Sequence, residues 1–344
     1  MSYGQVNADV IGTSVSGSNL GAGNASIMKN RIINGAMVID QRNAGASITP
    51  TNGAYGIDRW VYGLTQSSKF TAQQSTDAPT GFSFSNLITS SSAYSIGSTD
   101  EFEVFQRIEG FNTSDLGFGT ANAKTVTLSF WVKCSLTGTF GGSLFNSATN
   151  RSYVFSYSIP VANTWTQIST TIAGDTSGTW VGATNGVGLG VLFSLGAGAS
   201  RVTSAGSWNG AFYVGVTGQT NLVATNAATF QYTGVQLEVG SSATGFEYRQ
   251  YQQELALCQR YFEAGQSYVT GYGNGTGAYV NYPIQFSTSK RTTSPTMNYS
   301  NSSAVNISAY GADTSTATGF RLYMVASAAG MCNNYVNWNA SSEL

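Results

Sequence analysis

Residues 233–263, TGVQLEVGSSATGFEYRQYQQELALCQRYFE, change their hydrophobic period part-way along. Val235, Leu237 and Val239 alternate with Gln236 and Glu238, the pattern of a half-buried strand, whereas Tyr251, Leu255, Cys258 and Phe262 recur at helical spacing. A strand must therefore hand over to a helix, expected over residues 249–263. Residues 240–245, GSSATG, form a turn cluster between the two, and Phe246 and Tyr248 supply aromatic anchors just before the helix.

Elsewhere the period of two prevails. Residues 124–133 set Val126, Leu128, Phe130 and Val132 on one face and Thr127, Ser129, Trp131 and Lys133 on the other, so one face belongs to a core and the other is semi-exposed. Further strands are expected at 102–108, 153–159, 164–172, 187–195, 211–216 and 229–239, with turn signals between them such as TGTFGG at 137–142 and GDTSG at 174–178. Strands at near-regular intervals with no helical pattern between them point to an antiparallel sandwich rather than βαβ units. About eight to ten of them make a two-sheet jelly roll. After Gly265 the strand pattern resumes at 268–272, 278–286, 296–299, 305–310, 320–325 and 335–339, and a module this small lies near the lower limit of independent stability. The expected class is all-β: an antiparallel jelly-roll β-sandwich followed by one short helix and a small C-terminal β-module.

Composition narrows the chemistry. Only 9% of the 344 residues are charged, 15 basic and 16 acidic, against roughly 25% in an ordinary soluble domain. The net charge of −1 offers no electrostatic footprint for nucleic acid or an anionic membrane. Histidine is absent, which removes the Ser-His-Asp and Cys-His arrangements and the usual zinc sites. The three cysteines, Cys134, Cys258 and Cys332, are far apart and odd in number, so reduced thiols are expected and not a disulfide framework. Residues 1–30 lack the basic and apolar regions of a signal peptide, and no apolar run is long enough to span a bilayer; the expectation is a protein made in a cytoplasm, without membrane insertion.

Few constellations carry chemistry. The Gly186, Gly188, Gly190 spacing sits in an apolar run with no helix after it and so fails as a nucleotide loop. Glu101 and Glu103 are a carboxylate pair of the type a glycosidase uses, yet no active-site loop accompanies them, and no catalytic residue is assigned. Arg42, Asp58 and Arg59 are charges in a charge-poor region, read as loop-fixing ion pairs at a sheet edge. Of the six tryptophans, Trp180 and Trp208 lie among Gly, Ser and Asn and are the candidate glycan platforms, because an aromatic face suits the C–H edge of a pyranose. No cofactor is expected and no metal ligand set is assigned. Tyr251, Leu255, Cys258 and Phe262 are candidates for a subunit interface, since a single surface helix rarely needs so wide an apolar face.

GVQLEVG at 234–240, ATGFEYR at 243–249 and ELALCQRYFE at 254–263 resemble the junction in bacteriophage tail-fibre and virion appendage proteins that joins a carbohydrate-binding-module-like jelly roll to a small C-terminal β-module. NRIINGAM at 30–37, Gln41-Arg42, YGIDRW at 55–60, QRIEG at 106–110, LSFWVK at 128–133 and the final ASSEL at 340–344 extend the resemblance over residues 30–344. The resemblance implies a virion structural protein, a tail fibre or similar appendage for host attachment that binds surface glycans, with room for a structural calcium in its jelly roll. It also implies a homotrimer and docking to another virion protein. The expected domains are an N-terminal docking arm (1–34), the sandwich (35–248), the connecting helix (249–264) and the C-terminal module (265–344). A capsid decoration or head-fibre protein of the same fold and a glycan-cleaving enzyme are the rival functions.

Overall fold

The computed structural model describes residues 28–344, so the expected docking arm lies, up to residue 27, outside the described residues. Two sheets pack face to face. One has seven strands: β1 (Ala54–Tyr55), β2 (Val61–Leu64), β5 (Glu101–Glu109), β10 (Val187–Ala197), β7 (Gly138–Phe145), β8 (Ser152–Ile159) and β12 (Trp208–Asn209), in that spatial order. The other has five: β3 (Phe70–Ser75), β4 (Ser85–Ser90), β14 (Thr229–Val239), β6 (Val126–Cys134) and β9 (Thr166–Ile172). All pairings within the two sheets are antiparallel, and the chain crosses from one sheet to the other after β2, β4, β5, β6, β8, β9 and β12, which makes a jelly roll.

Alternation explains the core. Val126, Leu128, Phe130 and Val132 of β6 all face inward against Leu189, Val191 and Phe193 of β10 and Phe102 and Val104 of β5. Trp60 is fully buried and meets Tyr232 edge-on at 5.1 Å. Asn86 donates to the Tyr62 and Tyr232 hydroxyls at 3.1 and 2.9 Å, so the one amide in this part of the core is satisfied by both sheets.

The inward parity of β14 changes along its length. Phe230 and Tyr232 point in at even positions and Val235, Leu237 and Val239 at odd ones, because the register shifts between Thr233 and Gln236 at Gly234, whose φ is +63°. A side chain at residue 234 would also strike the Phe82 ring at 2.6 Å. The alternation is that of a half-buried strand, yet the outward Gln236 and Glu238 are buried as well. Glu238 accepts from the Thr244 N–H at 2.9 Å and its hydroxyl at 2.6 Å, and Gln236 accepts from the Glu247 N–H at 2.8 Å, so the 240–247 turn folds back over the strand.

The segment 211–216, expected as a strand, is one only at its end. β13 (Gly215–Val216) pairs in parallel with β11 (Val202–Thr203), and Phe212 and Val214 cover Phe105, Phe145 and Leu192 on the outer face of the seven-stranded sheet. The helix is shorter than expected: α1 spans Tyr251–Gln259, and Phe262 already opens the next strand. The chain leaves the helix where Glu109 takes Arg260 at 2.9 and 2.6 Å and the Tyr261 hydroxyl at 2.7 Å.

The C-terminal module is a three-on-three sandwich. β15 (Phe262–Gly273), β20 (Gly330–Ser341) and β17 (Thr296–Val305) form one sheet, and β16 (Tyr279–Gln285), β19 (Gly319–Ala326) and β18 (Ile307–Asp313) the other. Val269, Phe320, Leu322, Met324, Val336 and Trp338 fill the space between. All three cysteines are buried and unpaired.

Candidate functional site

The residues that carry the family resemblance gather at the seam between the sandwich and the C-terminal module. Gln106 takes both backbone groups of Ile33, accepting at 2.9 Å and donating at 2.8 Å. Asn30 bonds the backbone of Val235 and Leu237, and Asn34 bonds that of Ile39 and Asp58. Residues 30–34, expected to end the docking arm, are therefore part of the sandwich, with Ile32 and Asn34 fully buried. Arg249 donates to Ile32 O at 3.1 Å and to the Glu247 carboxylate at 3.1 Å.

The charges expected as loop-fixing pairs do that and more. Arg42 forks between Asp58 (2.9 Å) and Glu343 (2.8 Å) and stacks 3.6 Å over the Phe262 ring. Burial pushes the Asp58 carboxyl up to about 6 against the opposing pull of Arg42. Arg291 donates to the carbonyls of Ser342 and Glu343, both at 2.7 Å, and to Asn185 O at 2.8 Å. These charged groups are spent mainly on one another and on backbone carbonyls, so they position the module.

A second gathering is of a different kind. Trp180 and Trp208, the two candidate platforms, lie edge to face at 5.4 Å, and Phe118 meets both, at 5.0 and 5.7 Å. Tyr153 adds a fourth ring, 5.4 Å from Trp208 and opposite it in the β8–β12 register. All four are half-buried. The loop after β9 fixes the indoles: the Trp208 N–H donates to Ala173 O at 2.8 Å, and the Trp180 N–H to Ser177 O at 3.1 Å and Asp175 at 3.3 Å. Asp175 is itself buried and clamped by Arg151 at 2.7 and 2.6 Å. With both N–H groups spent, the indoles have only ring surface to present. A cleft of about 60 Å³ beside Phe118, Trp180 and Val181 is large enough for a few waters but too small for a sugar ring, so a ligand would lie across the corner and not within it.

Phe118, Tyr153, Arg151 and Asp175 escaped sequence analysis. The GDTSG turn marked the loop, but nothing local tells that Arg151 reaches Asp175 or that a two-residue edge strand carries Trp208 to Tyr153.

The four expected interface residues separate. Cys258 and Phe262 are buried within their own chain, Leu255 packs with Ile33, Ile39 and Tyr261, and Tyr251 alone stays exposed. The helix spends its apolar stripe on the seam, so Cys258 and Phe262 are not available to a neighbouring subunit. Glu103 is buried beside Glu101 and Arg201, and burial followed by the Glu101 charge pushes its carboxyl up to about 8. Only Glu101 of this carboxylate pair is reachable from solvent. Among the described residues, no three Asp, Glu or Cys side chains cluster to hold a metal ion.

No family model and no curated protein matches the chain. Solved structures give similarities at low identity. The enzymatically active domain of tailspike protein 4 of bacteriophage CBA120 is 14% identical over 61% of this chain and 21% of its own, with a TM-score of 0.35. A sugar-binding protein of Bacteroides thetaiotaomicron, so described provisionally, is 13% identical over 61% of this chain and 99% of its own, with a TM-score of 0.37. The family 11 carbohydrate-binding module of a Clostridium thermocellum cellulosomal cellulase is 9% identical over 60% of this chain and all of its own, with a TM-score of 0.30. This chain therefore spans about a fifth of the tailspike domain's length, and scores at this level leave its ligand to be argued from its own residues.

Proposed function

We propose that the chain is a subunit of a phage appendage, a tail fibre or similar spike, that attaches to host surface glycans without cleaving them. The convergence of Trp180 and Trp208 on one corner of the sandwich carries this reading. Two indoles 28 positions apart, immobilised by one loop and relieved of their N–H groups, form a rigid ring surface at low entropic cost to binding. The seam supports it indirectly, since a module locked to the sandwich presents a fixed outline to a surface.

Calorimetric titration of the purified protein with host polysaccharide tests the proposal. Wild type binds, Trp180→Ala and Trp208→Ala each weaken binding about tenfold, and Trp165→Ala, on the edge of the other sheet, leaves it unchanged. Equal binding by all four proteins, or reducing ends accumulating during the titration, overturns it. Labelling on intact particles at the capsid instead of an appendage would move the protein to the decoration class.

A further inference from the structure

The outer face of β15, β20 and β17 is built from neutral polar and aromatic residues. Alternation puts Gln266, Tyr268, Thr270 and Tyr272 outward from β15, Asn333, Tyr335, Asn337 and Asn339 from β20, and Asn298 and Ser300 from β17. None is charged. The five charged residues of 264–344, Lys290, Arg291, Asp313, Arg321 and Glu343, all lie elsewhere, and the opposite sheet's outer face carries the Arg321–Asp313 pair at 2.7 and 2.6 Å.

The face is also shaped. A shallow depression of about 540 Å³ opens over the three strands where their outward residues are Ala264, Gln266, Asn298, Ser300, Asn337 and Asn339. Its volume falls in the range of about 300–1,000 Å³ typical of small-molecule sites. Tyr268 and Tyr335, packed at 4.6 Å and each nearly half exposed, stand at the next level along the strands. Beneath the floor Trp338 lies against Gly265, where a Cβ would come within 2.5 Å of the indole, so β15 is held down on the module's core.

Hydrogen bonding within the depression is half used. Gln266 donates to the Asn337 carbonyl at 3.0 Å and Asn298 to the Asn339 carbonyl at 3.1 Å. Each amide has a carbonyl and two N–H donors. Asn337 and Asn339 thus keep their NH2 groups while Gln266 and Asn298 keep their carbonyls, all on neighbouring strands about 4.8 Å apart. A carbonyl that accepts from one hydroxyl beside an NH2 that donates to the next is the complement of a polyol, and the two tyrosine rings suit the apolar face of a pyranose. With no cation on the face, nothing would neutralise a uronate, sialate or phosphate.

We infer that this face is a binding site for neutral oligosaccharides, separate from the Trp180–Trp208 corner and independent of it. The test is saturation-transfer difference NMR on the full chain with cellohexaose, maltohexaose and mannohexaose, and hexagalacturonate as the anionic comparator. The expected result is transfer to at least one neutral hexasaccharide and none to hexagalacturonate. That transfer persists in a Trp180→Ala/Trp208→Ala protein and falls at least fivefold in Asn337→Leu/Asn339→Leu. Ser300→Glu, an exposed change that leaves the core untouched, gives the same loss and guards against misfolding of the double variant. Transfer lost in the tryptophan variant but kept in the asparagine variant would sink this site while leaving the proposed function standing. No transfer from any neutral sugar also overturns it, as does a Tyr335→Asp protein that sediments as a smaller species than wild type, since the face would then be covered by a second copy.

Discussion

Arg59 and Glu343, 284 positions apart, form a buried ion pair at the seam between the sandwich and the C-terminal module. The same guanidinium donates to Arg107 O at 2.6 Å and lies 3.5 Å over the Tyr261 ring. Arg59 adopts a φ of +73°, a left-handed conformation that a bulky side chain holds only when its surroundings impose it. Removing one partner leaves the other charge buried. Glu343→Gln should cost about 3 kcal/mol in urea unfolding, and should let the module melt apart from the sandwich in calorimetry. A loss under ~1 kcal/mol, with a single transition kept, would mean that the pair is solvated.

The Glu103 carboxyl makes stability depend on pH. Its folded value of about 8 lies above the ordinary 4.5, so the folded chain binds the extra proton between those limits. The contribution is complete below pH 4.5, declines by up to about 1.4 kcal/mol per pH unit as pH rises, and is gone above pH 8. Glu103→Gln should therefore gain on wild type progressively across that window and hold a constant advantage beyond it. Parallel pH–stability curves for the two proteins would rule out a buried, protonated Glu103.

Truncation should locate the edge of the fold. A chain lacking residues 1–27 keeps every contact described and should melt within a few degrees of wild type. Removing residues 1–34 strips away Asn30, Ile32, Ile33 and Asn34 and leaves Gln106 without its partners, so that protein should be insoluble or melt far lower. Equal melting of the two truncations would contradict the role given to Ile33.

On the helix, two substitutions should behave oppositely. Leu255→Asp drives a charge into the Ile33, Ile39 and Tyr261 cluster and should cost several kcal/mol, whereas Tyr251→Asp, at a residue 59% exposed, should change stability by about 0.5 kcal/mol or less. The reverse order, read from denaturation midpoints, would show that Tyr251 is buried against another subunit.

The thiols give a simple check on packing. Burial raises Cys134 to about 11 and Cys258 well above the ordinary thiol value, and all three cysteines are enclosed. Ellman's reagent should find none in the native protein and three after unfolding. One fast equivalent from the native protein would mark an open site.

Much of the fold was legible locally. Strand β14 matches its expected bounds of 229–239, and β6, β8 and β9 lie within two residues of theirs, because period-two alternation records which side of a sheet each residue takes. Helix α1 was legible as a helix but not in its length: the apolar spacing continued to Phe262, while contacts from Glu109 and the β15–β20 ladder ended it at Gln259. Trp180 and Trp208 could be chosen from composition, yet their meeting could not, since it needs the β8–β12 pairing and the Asp175 loop.

The local sequence determined most of the long strands and which residues seek a core, because these follow from neighbours one to four positions away and from the scarcity of charge, but it misplaced residues 137–142, expected as a turn and found mostly in β7, and 211–216. Only the tertiary structure decided what the polar residues do. Gln106 could have been a solvated strand residue until Ile33, 73 positions earlier, came to lie against it, and Arg59 a surface cation until Glu343 closed over it. The same holds for the neutral amides of β15, β17 and β20, which are scattered in the chain and become one face through strand register. A polar group's energy depends on whether a partner replaces the water it loses, and for these residues the partner arrives from elsewhere in the fold.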